Sequence, residues 1–256
     1  SCAHHLARMG YGVTVFESLP VAGGMMRVGI PAYRLPREAL QREIERIISE
    51  GVDLRLNSPV QDINALFDEG YAAVFLAIGA HEPQRLGIEG EDASGVYYGV
   101  PFLQAVSLAG EGKEFPQVGT RVVVIGGGNV AVDVALSALR CGAKEVVMAC
   151  LETVEEMPAH PWEVECALAE GVQLMPSWGT KRIISENGQV TGIELVRCTS
   201  VFDDQKRFNP AFDQTTLTVV KGDQAILAIG QAPEISFLDP SHGLEVSSRR
   251  TFVVDP

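Results

Sequence analysis

The chain has 256 residues, 46% of them hydrophobic, with 26 glycines, which suits a globular α/β protein of one large or two smaller domains. Lys and Arg number 20 against 33 Asp and Glu, and the net charge of −13 argues against a nucleic-acid groove or an anionic membrane surface. No apolar run approaches the roughly 18 residues that cross a bilayer, and no secretory leader pattern is present, so a cytoplasmic location is expected.

The opening SCAHHLARMGYGVTVFE puts Ala3, Leu6, Ala7 and Met9 at helical spacing. Gly10 and Gly12 stop that helix, and Val13–Phe16 reads as a buried strand ending at the acid Glu17. Pro36–Glu50 reads as a helix with Leu40, Ile44 and Ile47 on one stripe and Gly51 past its end. Strands are expected at Val52–Leu56 and Tyr71–Ile78, then a loop over Gly79–Gly95 and a helix near Pro101–Ala109. Gly110–Thr120 (GEGKEFPQVGT) reads as a linker into a new unit. Beyond that unit comes a β-meander whose Glu186–Gln189 turn, ENGQ, suits a tight primed hairpin.

The sharpest chemistry lies in Arg121–Glu152. Arg121–Ile125 is apolar on both faces, as in the middle of a parallel sheet. Gly126-Gly127-Gly128-Asn129-Val130-Ala131 fits G-x-G-x-x-A between that strand and a helix, with a second strand at Glu145–Ala149. Gly126 makes the tight turn, Gly128 lets the backbone approach a pyrophosphate, and Ala131 lets the helix pack on the strand. The helix N-terminus offers amides and a positive dipole end to the phosphates. Residues 1–17 repeat the second half of such a unit, so its first strand and glycine loop are expected before Ser1, with Glu17 in the place of the ribose-binding acid.

The remaining candidates read as structural. Cys2, Cys141, Cys150, Cys166 and Cys198 are odd in number and form no CxxC. Zinc ribbons, iron–sulfur loops and a redox dithiol are therefore not expected within the chain, and no metal site is assigned. His4 and His5 are helix neighbours that cannot face one ion, and His160 reads as a cap or surface residue. Asp133, one turn into the cofactor helix, supports its N-terminal dipole.

The chain resembles the glutamate synthase small-subunit family of FAD- and NAD(P)-binding flavoproteins, which is related to the N-terminal flavin region of dihydropyrimidine dehydrogenase. The resemblance rests on Ala22–Pro36 (AGGMMRVGIPAYRLP), Asn57–Val60 (NSPV), Phe75–Ala80 (FLAIGA), Gly126–Asp133 (GGGNVAVD), Glu155–Ala159 (EEMPA) and Ile226–Pro233 (ILAIGQAP). It implies two nested Rossmann-like α/β domains, each with a parallel sheet and an added β-meander. An FAD domain over residues 1–115 and 229–256 would be interrupted by an NAD(P) domain over 116–228. It further implies FAD contacts at Glu17, Gly24, Met25, Arg27, Val60, Ala77, Ile78 and Gly79, and cofactor contacts at Ile229 and Gly230. AGG frees backbone for a ligand, and AIG at a strand's C-terminal end is where doubly wound sheets bind ligands. The family's closing Gly-Asp segment would lie beyond Pro256, and residues 1–256 alone are expected to bind FAD weakly.

The family's second strand commonly ends in a Tyr-Arg-Arg run suited to the 2′-phosphate of NADP. Here Cys150–Val154 carries no arginine, and Glu152 offers a carboxylate to a 2′-hydroxyl, so NAD is expected over NADP, with Lys181 or Arg182 as the alternative phosphate readers. The implied reaction passes a hydride from NAD(P)H to FAD and electrons to an iron–sulfur protein or large catalytic subunit, with clusters held outside this chain. No catalytic side chain is assigned, because ring stacking and water exclusion suffice. The alternative is a nucleotide-binding module without redox turnover.

Overall fold

The computed structural model describes residues 1–109, 114–239, 242–248 and 250–254. The chain divides into two compact units, Ser1–Glu82 with Gln231–Pro256, and Pro83–Gly230, so that the second is inserted into the first.

In the first unit, helix α1 (Cys2–Arg8) ends where Gly10, at φ 90°, donates its N–H to Ala7 and Tyr11 donates to Leu6. That reversal needs a residue tolerant of positive φ and turns the chain into strand β1 (Val13–Phe16). Helices α2 (Gly24–Val28) and α3 (Arg37–Ile48) follow, then strand β2 (Val52–Arg55), which pairs parallel with β1 from Val13↔Val52 to Phe16↔Arg55. Helix α4 (Ile63–Asp68) is capped by Asp62, whose carboxylate accepts the Asn64 N–H at 2.8 Å.

The strand expected at Tyr71–Ile78 does not form. Val74, Leu76 and Ile78 are half-buried while Phe75 and Ala77 are exposed, so the alternation of an extended chain is present. A strand also needs a ladder, and among the described residues β1 pairs only with β2.

In the second unit, strand β3 (Glu82–Pro83) stands at the entry crossing, followed by β4 (Val96–Tyr98) and helix α5 (Gly99–Ala109). Strand β5 (Arg121–Ile125), helix α6 (Asn129–Arg140), strand β6 (Glu145–Ala149), helix α7 (Pro161–Ala169) and strand β7 (Gln173–Met175) form two successive crossovers. Strands β8 (Trp178–Glu186), β9 (Gln189–Phe202) and β10 (Phe208–Lys221) make an antiparallel meander. Strand β11 (Gln224–Leu227) returns to the parallel sheet, whose order is β4-β11-β5-β6-β7, and β12 (Gln231–Ala232) follows the exit.

This sheet is buried on both faces. Val122, Val124, Val146, Met148 and Ile226 pack with residues of α5, α6 and α7 on one side. Val123, Ile125, Ala149 and Leu227 pack with Ile183, Val190, Ile193 and Leu195 of the meander on the other. Continuous apolar strands such as RVVVI follow from that arrangement. The ENGQ turn has Asn187 at φ 53° and Gly188 at φ 78°, the two left-handed residues that a primed hairpin requires.

The inserted unit begins earlier than residue 116. Strand β4 pairs parallel with β11 from Val96↔Ala225 to Tyr98↔Leu227, which carries β4 and α5 into the inserted unit. Of the expected linker, residues 110–113 lie outside the described residues. Its far end is fixed: Gly119 N–H donates to Gln224 Oε1 at 2.6 Å, and the Thr120 and Arg121 N–H groups donate to the Asp223 carboxylate.

The approach to β4 is organised by the buried Glu91 carboxylate. It accepts the N–H groups of Leu86 (3.1 Å), Gly87 (2.6 Å) and Ile88 (3.4 Å) and the Tyr98 hydroxyl (3.1 Å). Burial, with the Glu91 charge adding to it, pushes the Tyr98 phenol above its usual range. Glu91→Gln keeps the shape but removes the charge and sets a buried amide donor against N–H groups that need an acceptor, which costs about 1–3 kcal/mol. A lower denaturant midpoint at unchanged slope is the expected result.

Candidate functional site

The C-terminal end of β5 is shaped by three consecutive glycines, each constrained differently. Gly126 adopts φ 141°, and its N–H donates to Ala149 O at 2.9 Å across the ladder to β6. A Cβ there would strike the Ala228 carbonyl oxygen and come within 3.3 Å of the Ala131 Cβ, so both turn and packing demand glycine. At Gly127 a Cβ would lie 2.6 Å from Glu152 Oε2 and 3.0 Å from Cys150 Cβ. The motif treats that position as free, but here a side chain would have to displace the Glu152 carboxylate and press on Cys150.

Gly128 differs. It caps α6 with extended backbone (φ −93°, ψ 174°), and a Cβ there would meet nothing within 4 Å. The space in front of Gly128 is therefore open, with the N-terminal amides of α6 facing its start. Gly128 O accepts the Ala131 N–H at 2.9 Å, which sets the first helical turn. Asn129, Val130 and Ala131 form that turn, and Ala131 is fully buried against the strand.

Sequence reasoning missed a second wall of this loop. Ala159 N–H donates to Gly127 O at 3.1 Å, and His160 N–H donates to the Asn129 side chain at 3.2 Å. The EEMPA segment is thus tied to the glycine loop through backbone groups, which no residue type in it announces. His160 itself is exposed and stacks on Trp162 with an interplanar angle of 9°.

Glu152 turns its carboxylate toward Gly127, and its main-chain oxygen accepts the Ser177 N–H at 2.8 Å. Lys181 and Arg182, the alternative phosphate readers, are engaged elsewhere: Arg182 Nε lies 3.0 Å and Lys181 Nζ 3.6 Å from Glu194 Oε2. The Arg182 guanidinium, through its hydrogen bond, holds the Glu194 carboxyl below the usual range. Cys150 lies beneath the loop, and burial, reinforced by the Glu152 charge, pushes its thiol up to about 12. A thiol so poised carries little thiolate near neutrality. Ellman's reagent at pH 8 should therefore modify the exposed Cys166 at least tenfold faster than Cys150, as read by peptide mass mapping.

The residues assigned to FAD occupy separate segments of the first unit. Glu17 extends the β1 ladder through its N–H to Arg55 O, and its carboxylate accepts the Leu19 N–H at 2.9 Å. Gly24 opens α2 at φ 54°, and a Cβ on it would meet nothing within 4 Å. Met25 folds its thioether over Gly29, while Arg27, on the last turn of α2, is half-buried and engaged by neighbouring groups. Val60 lies in the irregular segment after β2, and Ala77, Ile78 and Gly79 end the unpaired extended stretch, with Gly79 at φ 70°. Ile229 and Gly230 fall in the inserted unit, where Gly230 O accepts the Gln84 N–H at 3.0 Å. Among the described residues no group of three or more His, Cys, Asp or Glu gathers as a metal site, and no helix is long and apolar enough to cross a membrane.

A parallel sheet carrying a glycine turn between its central strand and a helix N-terminus, with an acid at the end of the next strand, defines a dinucleotide-binding α/β unit. Residues 1–256 match the family model described as pyridine nucleotide-disulphide oxidoreductase, and the chain belongs to that family.

Its relatives include the NADP(+)-dependent formate dehydrogenase subunit beta of Moorella thermoacetica, 43% identical over 263 residues, which cover 100% of this chain and 36% of that protein. The NADPH-Fe(3+) oxidoreductase subunit beta of Geobacter sulfurreducens is 40% identical, covering 99% and 38%. The glutamate synthase [NADPH] small chain of Escherichia coli K12 is 35% identical, covering 97% and 55%. The chain thus spans between about a third and just over half of these relatives. Among solved structures, FprA of Mycobacterium tuberculosis in complex with NADPH shares the fold with TM-score 0.72 at 20% identity, covering 90% of this chain and 68% of that one. The thioredoxin reductase of T. acidophilum does so with TM-score 0.67 at 18% identity, covering 99% and 80%. The relatives' names specify NADP(+) or NADPH, and the expectation of NAD over NADP finds no support among them.

Proposed function

We propose that the chain is the pyridine-nucleotide- and flavin-handling part of an oxidoreductase that takes a hydride from NADPH and delivers electrons to an iron–sulfur protein or a larger catalytic subunit. The observation that carries this reading is the open space before Gly128 at the start of α6, in a loop whose other two glycines are crowded by their neighbours. The relatives' names support the choice of NADPH and of a multi-subunit enzyme.

In this reading Gly126, Gly128, Asn129, Val130 and Ala131 bind the nucleotide diphosphate, and Glu152 lies beside the adenosine ribose. Glu17, Gly24, Met25, Arg27, Val60, Ala77, Ile78 and Gly79 hold FAD, and Ile229 and Gly230, in the inserted unit, are cofactor contacts. FAD, when bound, accepts a hydride and can release its electrons singly. The chain's own groups then bind, orient and exclude water, and no side chain is asked to move a proton.

The test is anaerobic titration of the full-length protein with NADPH, followed by flavin absorbance. Bleaching with one NADPH per flavin is expected, and reoxidation by an added iron–sulfur acceptor should follow. A protein that binds NADPH without losing flavin absorbance would be a nucleotide-binding module instead.

A further inference from the structure

NADPH differs from NADH by a 2′-phosphate on the adenosine ribose, and the strand end that meets this ribose carries Glu152, a charge of the wrong sign. We propose that Arg197, held over Trp178, is a specificity-determining residue that receives this 2′-phosphate. The proposal rests on the nucleotide reading above and deepens it.

Three short segments are stitched side by side at the edge of the glycine loop. Trp178 N–H donates to Cys150 O at 2.8 Å, Ser177 N–H donates to Glu152 O at 2.8 Å, and Cys198 N–H donates to Ser177 O at 2.9 Å. Residues 150–152, 177–178 and 197–198 therefore form one hydrogen-bonded patch beside the ribose position. Trp178 and Arg197 are cross-strand partners on β8 and β9, and the guanidinium carbon lies 5.5 Å from the Trp178 ring centroid. Ser177, just before Trp178, is a buried non-glycine residue at φ 62°, a costly conformation that the surrounding hydrogen bonds enforce.

Charge distinguishes Arg197 from the other cations nearby. Lys181 and Arg182 are both engaged by Glu194, and Arg182 also lies 3.8 Å from Glu89. Arg197 is exposed and among the described residues forms no ion pair: Asp213, its register partner on β10, has its carboxylate bonded by Thr215 and Thr216, while the Arg197 guanidinium lies against the aromatic face of Trp178. Stacking orients the planar guanidinium without occupying its N–H donors, which remain available to two phosphate oxygens at once. Burial pushes the Cys198 thiol up, with the Glu152 charge adding to the shift and the Arg197 charge opposing it, so both charges are felt at this thiol. An anion placed there meets repulsion from Glu152 and a bidentate partner in Arg197. The side chain that tips the balance toward a 2′-phosphate thus comes from the meander, on a different element from the second strand.

Calorimetric titration of the full-length protein with adenosine 2′,5′-bisphosphate and with 5′-AMP isolates the 2′-phosphate from flavin reduction. The wild type should bind the bisphosphate more tightly. Arg197→Gln should weaken the bisphosphate by about ten- to a hundredfold while leaving 5′-AMP unchanged, and Arg197→Lys should recover part of the loss. Unchanged 5′-AMP binding also shows that the variant is folded. An Arg197→Gln protein that keeps the wild-type ratio of the two affinities overturns the proposal while leaving the nucleotide site standing. A wild-type protein that binds neither ligand overturns the nucleotide reading itself, and this proposal with it.

Discussion

Gly128→Val should lower the melting temperature of the protein by no more than a few degrees and weaken NADPH binding by roughly a hundredfold or more. The fold makes room for a side chain here: a Cβ at Gly128 meets nothing within 4 Å and its φ of −93° is open to any residue, so the cost is only that of a poorer helix cap. The ligand is not indifferent, because the same space must admit a pyrophosphate to the amides at the start of α6. Holding the diphosphate away by the depth of an isopropyl group forfeits charge-assisted hydrogen bonds worth about 1.5–3 kcal/mol each, and losing two reaches the hundredfold range. Calorimetry for NADPH and differential scanning fluorimetry for stability provide the two readings. A variant that binds NADPH as tightly as wild type would place the pyrophosphate elsewhere.

The glycine loop was legible because several local signals agree. A strand apolar on both faces, a glycine cluster and an alanine-rich helix admit few alternatives, and β5, Gly126–Gly128 and α6 appear where those signals put them. The Asn187-Gly188 hairpin was legible for the same reason, since its dihedral demands are met by those two residues alone. Partner choice was not legible. Val96–Tyr98 is three residues long and becomes strand β4 only through pairing with β11, which arrives from the far end of the unit. The expected boundary at Gly110–Thr120 followed linker composition, whereas contacts set the unit's start at Pro83. Phe75–Ile78 carries a strand's alternation, and alternation records which face is buried without supplying a neighbour.

The site shows the same division. Gly126 makes the tight turn its spacing assigns and Gly128 leaves open space at the start of α6, but the crowding at Gly127 comes from Glu152 and Cys150, which approach from the next strand. Arg197 and Trp178 are distant in sequence and belong to no motif; cross-strand register brings them together. Chemistry coded by one segment can be read from that segment, and chemistry coded by two strands appears only once they are paired.

Gly126→Val should have the opposite profile to Gly128→Val, lowering stability before any ligand is added. At φ 141° the backbone is in a region open almost only to glycine, and forcing a β-branched residue there costs about 1–3 kcal/mol. The Cβ would also collide with the Ala228 carbonyl oxygen. That oxygen cannot easily retreat, because Ala228 N–H is bonded to Ile125 O at 2.8 Å while Gly126 N–H is bonded to Ala149 O at 2.9 Å. Relief therefore requires breaking ladder bonds at the ends of β5, β6 or β11, each worth about 1 kcal/mol net. The total, about 3–5 kcal/mol, is a large fraction of the roughly 5–15 kcal/mol that holds a domain together. For a unit of this size each kcal/mol moves the midpoint by about 2–4 °C, so a fall of roughly 10 °C is expected for the transition of Pro83–Gly230. Scanning calorimetry of the two variants side by side checks the assignment. If Gly126→Val melts with the wild type while Gly128→Val unfolds early, the structural and ligand-facing roles of these two glycines have been exchanged.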